Sequence, residues 1–244
     1  MKVLGIDVGG SGIKGAIVDL DTGTLITERH RIPTPQPATP KAVARTVAKL
    51  CEHFEWKGAI GAGFPAAIQK GVSKTASNID DKWIGVNVEE IFAEATGCKV
   101  KVVNDADAAG LAEATFGGGK GQSGLVVLLT LGTGIGSALI LDGVLVPNTE
   151  FGHLKFKGGI AEHYAADSIR KKKDLGWKEW GKRLNEYLNH VHRICYPDVI
   201  ILGGGASKKF EKFSKELDVP TPIRPAELLN QAGIVGAALA AKHL

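Results

Sequence analysis

The chain has 244 residues, 44% of them hydrophobic, enough to bury a core as one large domain or two of ordinary size. Charges of both signs are spread along it, the net charge is +4, and no stretch has the apolar length of a membrane span, so no membrane partner is expected. The start, MKVLGIDVGG, lacks the long apolar region and cleavage site of a signal peptide, and Cys51, Cys98 and Cys195 stand too far apart for a CxxC zinc pair; a cytoplasmic protein with reduced thiols is expected.

In chain order, Val3 to Asp7, Lys14 to Asp19 and Leu25 to Arg31 read as an antiparallel meander joined by Gly-rich or Asp-Thr-Gly turns. Pro33 to Pro40 breaks the pattern before Lys41 to Phe54, where Val43, Val47, Leu50 and Phe54 follow helical spacing. Ala59 to Gly63 and Lys99 to Asn104 are strands, with a helix over Val88 to Thr96 between them. A small-residue helix over Asp105 to Phe116 and a flexible glycine run, Gly117 to Gly124, lead to a second meander: Leu125 to Leu131, Ile135 to Leu141 and Val144 to Val146. Residues 7 to 19 lie over 130 to 142 without a gap, pairing Gly9 with Gly132 and Asp19 with Asp142. Pro225 to Leu244 reads as an alanine-rich helix. The pattern predicts an α/β chain of two lobes with mixed sheets and a cleft between them: a small lobe over 1–105, a large lobe over 106–231, and a final helix, about 232–244, returning to the first.

Gly10-Ser-Gly12-Ile-Lys-Gly15 fits the GxGxxG dinucleotide pattern, but the β-branched segment that follows is a strand, where a dinucleotide site needs a helix N-terminus. Gly119-Lys120 lacks the rest of a P-loop. Asp7 with Gly9, Gly10, Ser11 and Gly12 instead suits a phosphate-facing turn, in which Asp7 holds Mg²⁺ through water and Lys14 neutralises phosphoryl charge; a plain hairpin capped by Asp7 is the alternative. Gly132, Thr133 and Gly134 supply a second such turn. Gly203, Gly204 and Gly205, between an apolar strand and an expected helix, supply a third.

Phosphoryl transfer to a hydroxyl needs positioning, charge neutralisation and a base. Asp105, at a strand-to-helix junction with Asn104 beside it, is the base candidate, although Asp at such a junction also serves as a helix cap. Glu150 and His153, separated by Phe151 and Gly152, can converge on adjacent hydroxyls of one ring.

Together, Asp7-Val-Gly-Gly-Ser-Gly-Ile-Lys14, Gly63-Phe-Pro65, Val103-Asn-Asp-Ala-Asp107, Leu131-Gly-Thr-Gly-Ile-Gly136, Glu150-Phe-Gly-His153 and Leu202-Gly-Gly-Gly205 resemble the ROK sugar kinases over nearly the whole chain. That resemblance implies the actin-like ATPase (ribonuclease H-like) fold and phosphorylation of glucose at its 6-hydroxyl. It implies Asp105 as general base, Asn104, Glu150 and His153 on the glucose ring, Glu162 completing the hydroxyl contacts, and Ser77 and Asn78 contributing to the pocket. It also implies a homodimer, and Asp7 beside its phosphate turn makes Mg²⁺ the expected cofactor. Many ROK proteins carry a cysteine-rich zinc site after the Glu-x-Gly-His element; here LKFKGGIAEHYA follows, so no zinc is expected. ROK repressors carry an N-terminal DNA-binding domain, whereas this chain opens on its first strand, so no nucleic-acid partner is expected.

The missing cysteines, the short chain and the segment Tyr164 to Asp174 resemble the polyphosphate-using branch, which makes polyphosphate and/or ATP the expected donor. Arg170, Lys171, Lys172 and Lys173 are candidates for a polyphosphate track, with a solvated helix surface as the alternative. A sugar sensor without catalysis and an ATP-only hexose kinase compete with this reading. A sensor has no need of a base at Asp105.

Overall fold

The computed structural model describes residues 1–76 and 79–244, so Ser77 and Asn78 lie outside the described residues. The chain divides into two compact units: Met1–Ala112 with Asn230–Leu244, and Glu113–Leu229.

The first unit opens with β1 (Lys2–Val8), β2 (Ile13–Asp19), β3 (Thr24–Leu25) and β4 (His30–Ile32), followed by α1 (Pro40–His53), β5 (Ile60–Phe64) and the short pair β6 (Ile68–Gln69) and β7 (Val72–Ser73). Next come α2 (Val88–Thr96), β8 (Val100–Asn104) and α3 (Asp105–Phe116), whose last turn belongs to the second unit. The main sheet runs β3-β2-β1-β5-β8, with β4 also on β2. The meander is antiparallel, while β1, β5 and β8 are parallel neighbours. The expected third strand, Leu25 to Arg31, is two short ones. Its interruption has a local cause: the Thr27 hydroxyl, not a backbone carbonyl, takes the Ile17 N–H at 3.0 Å.

Proline at the first turn of α1 sets its start, and Val43, Val47 and Leu50 turn inward from it. Within this core Phe64, Trp83 and Phe92 meet edge to face, with the Trp83 indole N–H donating to Ala38 O at 2.8 Å.

The second unit repeats the plan with β9 (Leu125–Leu131), β10 (Ile135–Leu141), β11 (Val144–Val146), the hairpin β12 (Lys155–Phe156) and β13 (Gly159–Ile160), α4 (Glu162–Ala165), α5 (Asp167–Lys172), α6 (Trp177–Cys195), β14 (Val199–Gly203) and β15 (Ile223–Pro225). Its sheet runs β11-β10-β9-β14-β15. Again an antiparallel meander is joined by parallel strands. Helix α6 buries Trp180, Leu184, Leu188 and Val191 along one stripe.

Three expectations for this unit and the tail are corrected. The Gly117–Gly124 run is not a loose connector: Glu113, 1% exposed, accepts the N–H of Gly118 and also those of Glu227 and Leu228, while Arg224 donates to Gly118 O. Gly205–Lys212 forms 3-10 turns broken at Lys209, not an α-helix, so it offers little of a helix dipole. The C-terminal helix does not start at Pro225, which ends a parallel strand; it is α7 (Ala232–Ala240), packed against β1 and β5 of the first unit.

Candidate active site

In the first unit the candidate residues sit at the carboxyl ends of three adjacent parallel strands, where open α/β sheets bind ligands. Asp7 of β1 registers with Gly63 of β5, Gly63 with Val103 of β8, and Phe64 with Asn104. The Asp7 carboxylate meets Lys14 Nζ at 3.0 Å across the hairpin. Asn104, not Asp105, takes the principal cap role on α3: its Oδ1 accepts from Ala106 N at 2.8 Å and Asp107 N at 3.2 Å, while its Nδ2 donates to Ala66 O at 3.1 Å. Asp105 also meets Ala106 N–H through Oδ1 at 2.8 Å, and it is exposed at the start of α3. Asp107 is fully buried, at 0% exposure, whereas Asp105 is exposed.

In the second unit β9 and β14 are parallel, with Gly203 opposite Thr130, so Gly132–Gly134 and Gly203–Gly205 leave the carboxyl ends of neighbouring strands. Glu150, His153 and Glu162 meet here. His153 Nδ1 lies 3.7 Å from Glu150 Oε2, and its Nε2 lies 3.7 Å from Glu162 Oε1. The other Glu162 oxygen accepts the Ile135 N–H at 3.2 Å, directly after the glycine turn, and occupies the space a Cβ on Gly134 would need. One carboxylate thus joins the Glu150–His153 pair to the Gly132–Gly134 turn.

Partial burial raises the Glu150 carboxyl above its ordinary value; the Glu162 charge adds to this and His153 opposes it. A carboxyl with a raised folded-state value gives stability that is present below its unfolded value and lost as pH rises through the folded one. Glu150→Gln should therefore melt above the parent near neutral pH, with the two converging near about pH 4. Thermal melts across pH check this; a variant less stable than the parent at neutral pH would contradict it.

The four cations of the expected track are not equivalent. Asp167, buried at the start of α5, holds Arg170 at 2.7 Å and Lys171 at 2.8 Å, and Arg170 also stacks on Trp177. Burial alone would raise the Asp167 carboxyl, but hydrogen bonds from Lys171 and Arg170 and their charges hold it below its ordinary value. Lys172 and Lys173 are exposed, and no ion pair engages them among the described residues.

Sequence reasoning missed the side chains that hold the turns. Arg31 donates to Ser11 O at 2.6 Å, the Thr34 hydroxyl to Gly9 O, and Gln36 to Gly10 O at 3.5 Å. In the second unit Ser168 donates through N to Gly132 O at 3.0 Å and through Oγ to Thr133 O at 2.6 Å. These donors follow no periodic or motif-like spacing, so only the folded arrangement reveals them.

Paired glycine turns at the strand ends of two similarly built units define the actin-like ATPase fold in the form found in sugar kinases. The chain belongs to the ROK family, whose model matches residues 3–164. It is 53% identical over 237 residues to the polyphosphate glucokinase of Mycobacterium tuberculosis, covering 97% of this chain and 89% of that one. The inorganic polyphosphate/ATP-glucomannokinase of Arthrobacter sp. strain KM superposes with a TM-score of 0.92 at 46% identity, covering 98% of this chain and 97% of that one. A ROK glucokinase from Streptomyces griseus, solved with glucose and AMPPNP, shares the fold at a TM-score of 0.85 and 22% identity, with each chain fully covered.

Proposed function

We propose that the chain transfers the terminal phosphoryl group of polyphosphate and/or ATP to the 6-hydroxyl of glucose, giving glucose 6-phosphate. The observation that carries this reading is Glu162, whose two oxygens serve His153 on one side and the glycine turn on the other. In the first unit Asp105 takes the hydroxyl proton as the oxygen attacks phosphorus, and Asn104 orients the sugar. In the second unit Glu150, His153 and Glu162 hold the ring hydroxyls. Gly9–Gly12, Gly132–Gly134 and Gly203–Gly205 present backbone N–H groups to the donor, which leaves as ADP or as a chain one unit shorter. The likeness to polyphosphate-using relatives at 46–53% identity supports this donor class. The same reading carries a cytoplasmic homodimer.

Among the described residues no group of three or more His, Cys, Asp and Glu side chains forms a metal cage. A single carboxylate, Asp7, beside a phosphate turn fits Mg²⁺, which keeps most of its shell as water and phosphate oxygens. When bound, Mg²⁺ would neutralise phosphoryl charge. Lys14, which meets Asp7 at 3.0 Å, would add its own charge towards the donor. EDTA should abolish turnover and Mg²⁺ alone restore it; turnover that persists in EDTA would contradict this role.

A long polyanion gains from each further cation along its path, whereas ATP does not. Because Lys171 supports the buried Asp167, the informative change is Lys172→Gln with Lys173→Gln. This double variant should raise KM for long-chain polyphosphate well above any change for ATP, and lower its log–log salt slope by roughly 1 to 2. Initial rates at several salt concentrations test it, and equal effects on both donors would reduce these lysines to a solvated surface.

A further inference from the structure

A peptide unit beside a phosphate can turn either its N–H or its carbonyl towards the anion, and only the first is attractive. In glycine-rich turns the two orientations differ little in backbone energy, so something outside the turn must choose. On the first turn, three consecutive carbonyls are taken by side chains from β4 and the segment after it: Gly9 O by the buried Thr34, Gly10 O by Gln36, and Ser11 O by Arg31. On the second, Ser168 alone takes both Gly132 O and Thr133 O, and Glu162 ties down the Ile135 N–H. Gly132 N–H closes the turn on Gly134 O at 3.0 Å, which leaves the Thr133 and Gly134 N–H groups with no acceptor among the described residues. The third turn follows the same rule in miniature, with the Ser207 hydroxyl on Gly204 O at 2.8 Å.

We propose that Thr34 and Ser168 are positioning residues of the donor site: their hydroxyls hold turn carbonyls away from the phosphates so that the backbone N–H groups face them. The inference rests on the proposed kinase reading of these turns. Among the described residues neither hydroxyl is hydrogen-bonded to Asn104, Glu150, His153 or Glu162, so the larger effect falls on the donor.

The test compares Thr34→Val and Ser168→Ala with Thr34→Ser and Ser168→Thr, which keep the hydroxyl. Calorimetric binding of tripolyphosphate and of AMPPNP should weaken by about tenfold in each hydroxyl-less variant. It should recover in each hydroxyl-bearing one, with glucose binding within about twofold throughout. Donor KM should rise in parallel. Unchanged donor binding, or equal losses of donor and glucose binding, would overturn the inference. A parent chain that binds tripolyphosphate but forms no glucose 6-phosphate would sink the kinase reading while leaving the positioning role to be judged on binding. A parent that does not bind tripolyphosphate would sink both.

Discussion

Asp105→Asn should lower kcat by about 10²- to 10⁴-fold while leaving glucose binding within about tenfold. The substitution preserves the cap at the start of α3. Asn104 caps α3, and an asparagine at 105 still offers an oxygen to the Ala106 N–H now met at 2.8 Å, so the helix start should survive. What disappears is the capacity to accept a proton. The neighbouring Asp107 cannot replace it, being fully buried. Steady-state kinetics with a thermal melt decide the matter: near-normal turnover would remove Asp105 as the base, and a large loss of stability would make the kinetic effect structural.

The largest effect on folding should come from glycines where α7 packs on the first unit. A Cβ on Gly61 of β5 would overlap the Ala237 carbonyl oxygen, and one on Gly236 of α7 would overlap the Ala108 carbonyl oxygen of α3. Helix backbone therefore lies directly on sheet and helix backbone, and no rotamer change can relieve the overlap because the backbone fixes each Cβ and the carbonyl it meets is main chain. Gly236→Val should cost about 4 kcal/mol or more and leave little folded protein, with Gly61→Val close behind. Gly176, with nothing near its Cβ position, is the control, and Gly176→Ala should stay within about 0.5 kcal/mol of the parent. Calorimetric melting tests the pair. A Gly236→Val protein that melts near the parent would mean that α7 does not pack this closely.

Much of this arrangement was legible beforehand, for reasons that differ by element. Runs such as Leu125–Leu131 and Ile135–Leu141 are apolar and bounded by glycines, and α2 and α3 have sharp starts at Asn87 and Asn104, so their limits could be read directly. The internal repeat was legible in kind but off by one in register. Four residues separate the paired Val8 and Ile13, whereas three separate Leu131 and Ile135. The gapless overlay therefore sets Ile13 against Gly136, although Ile13 and Ile135 open the two return strands with the same inside-outside alternation. In a sheet, a slip of one residue exchanges the faces.

The site was legible through its carboxylates, histidine and glycines, because those residue types are costly to place idly. The adjacency of Glu150, His153 and Glu162 was less so: it depends on how α4 folds back beside β10, which no local pattern specifies. The donors to the turn carbonyls were not legible at all. A threonine after a proline and a serine at the start of a lysine-rich helix look like ordinary loop and cap residues until the fold brings the carbonyls to them.

The most direct test is glucose 6-phosphate formation by the purified protein from glucose, with long-chain polyphosphate as the sole donor in nucleotide-free buffer containing Mg²⁺. The expected result is one glucose 6-phosphate for each phosphate unit lost from the chain, with the rate collapsing in Asp105→Asn. A protein that binds glucose and polyphosphate yet forms no glucose 6-phosphate from polyphosphate or from ATP would contradict the assignment of this chain as a hexose-phosphorylating enzyme.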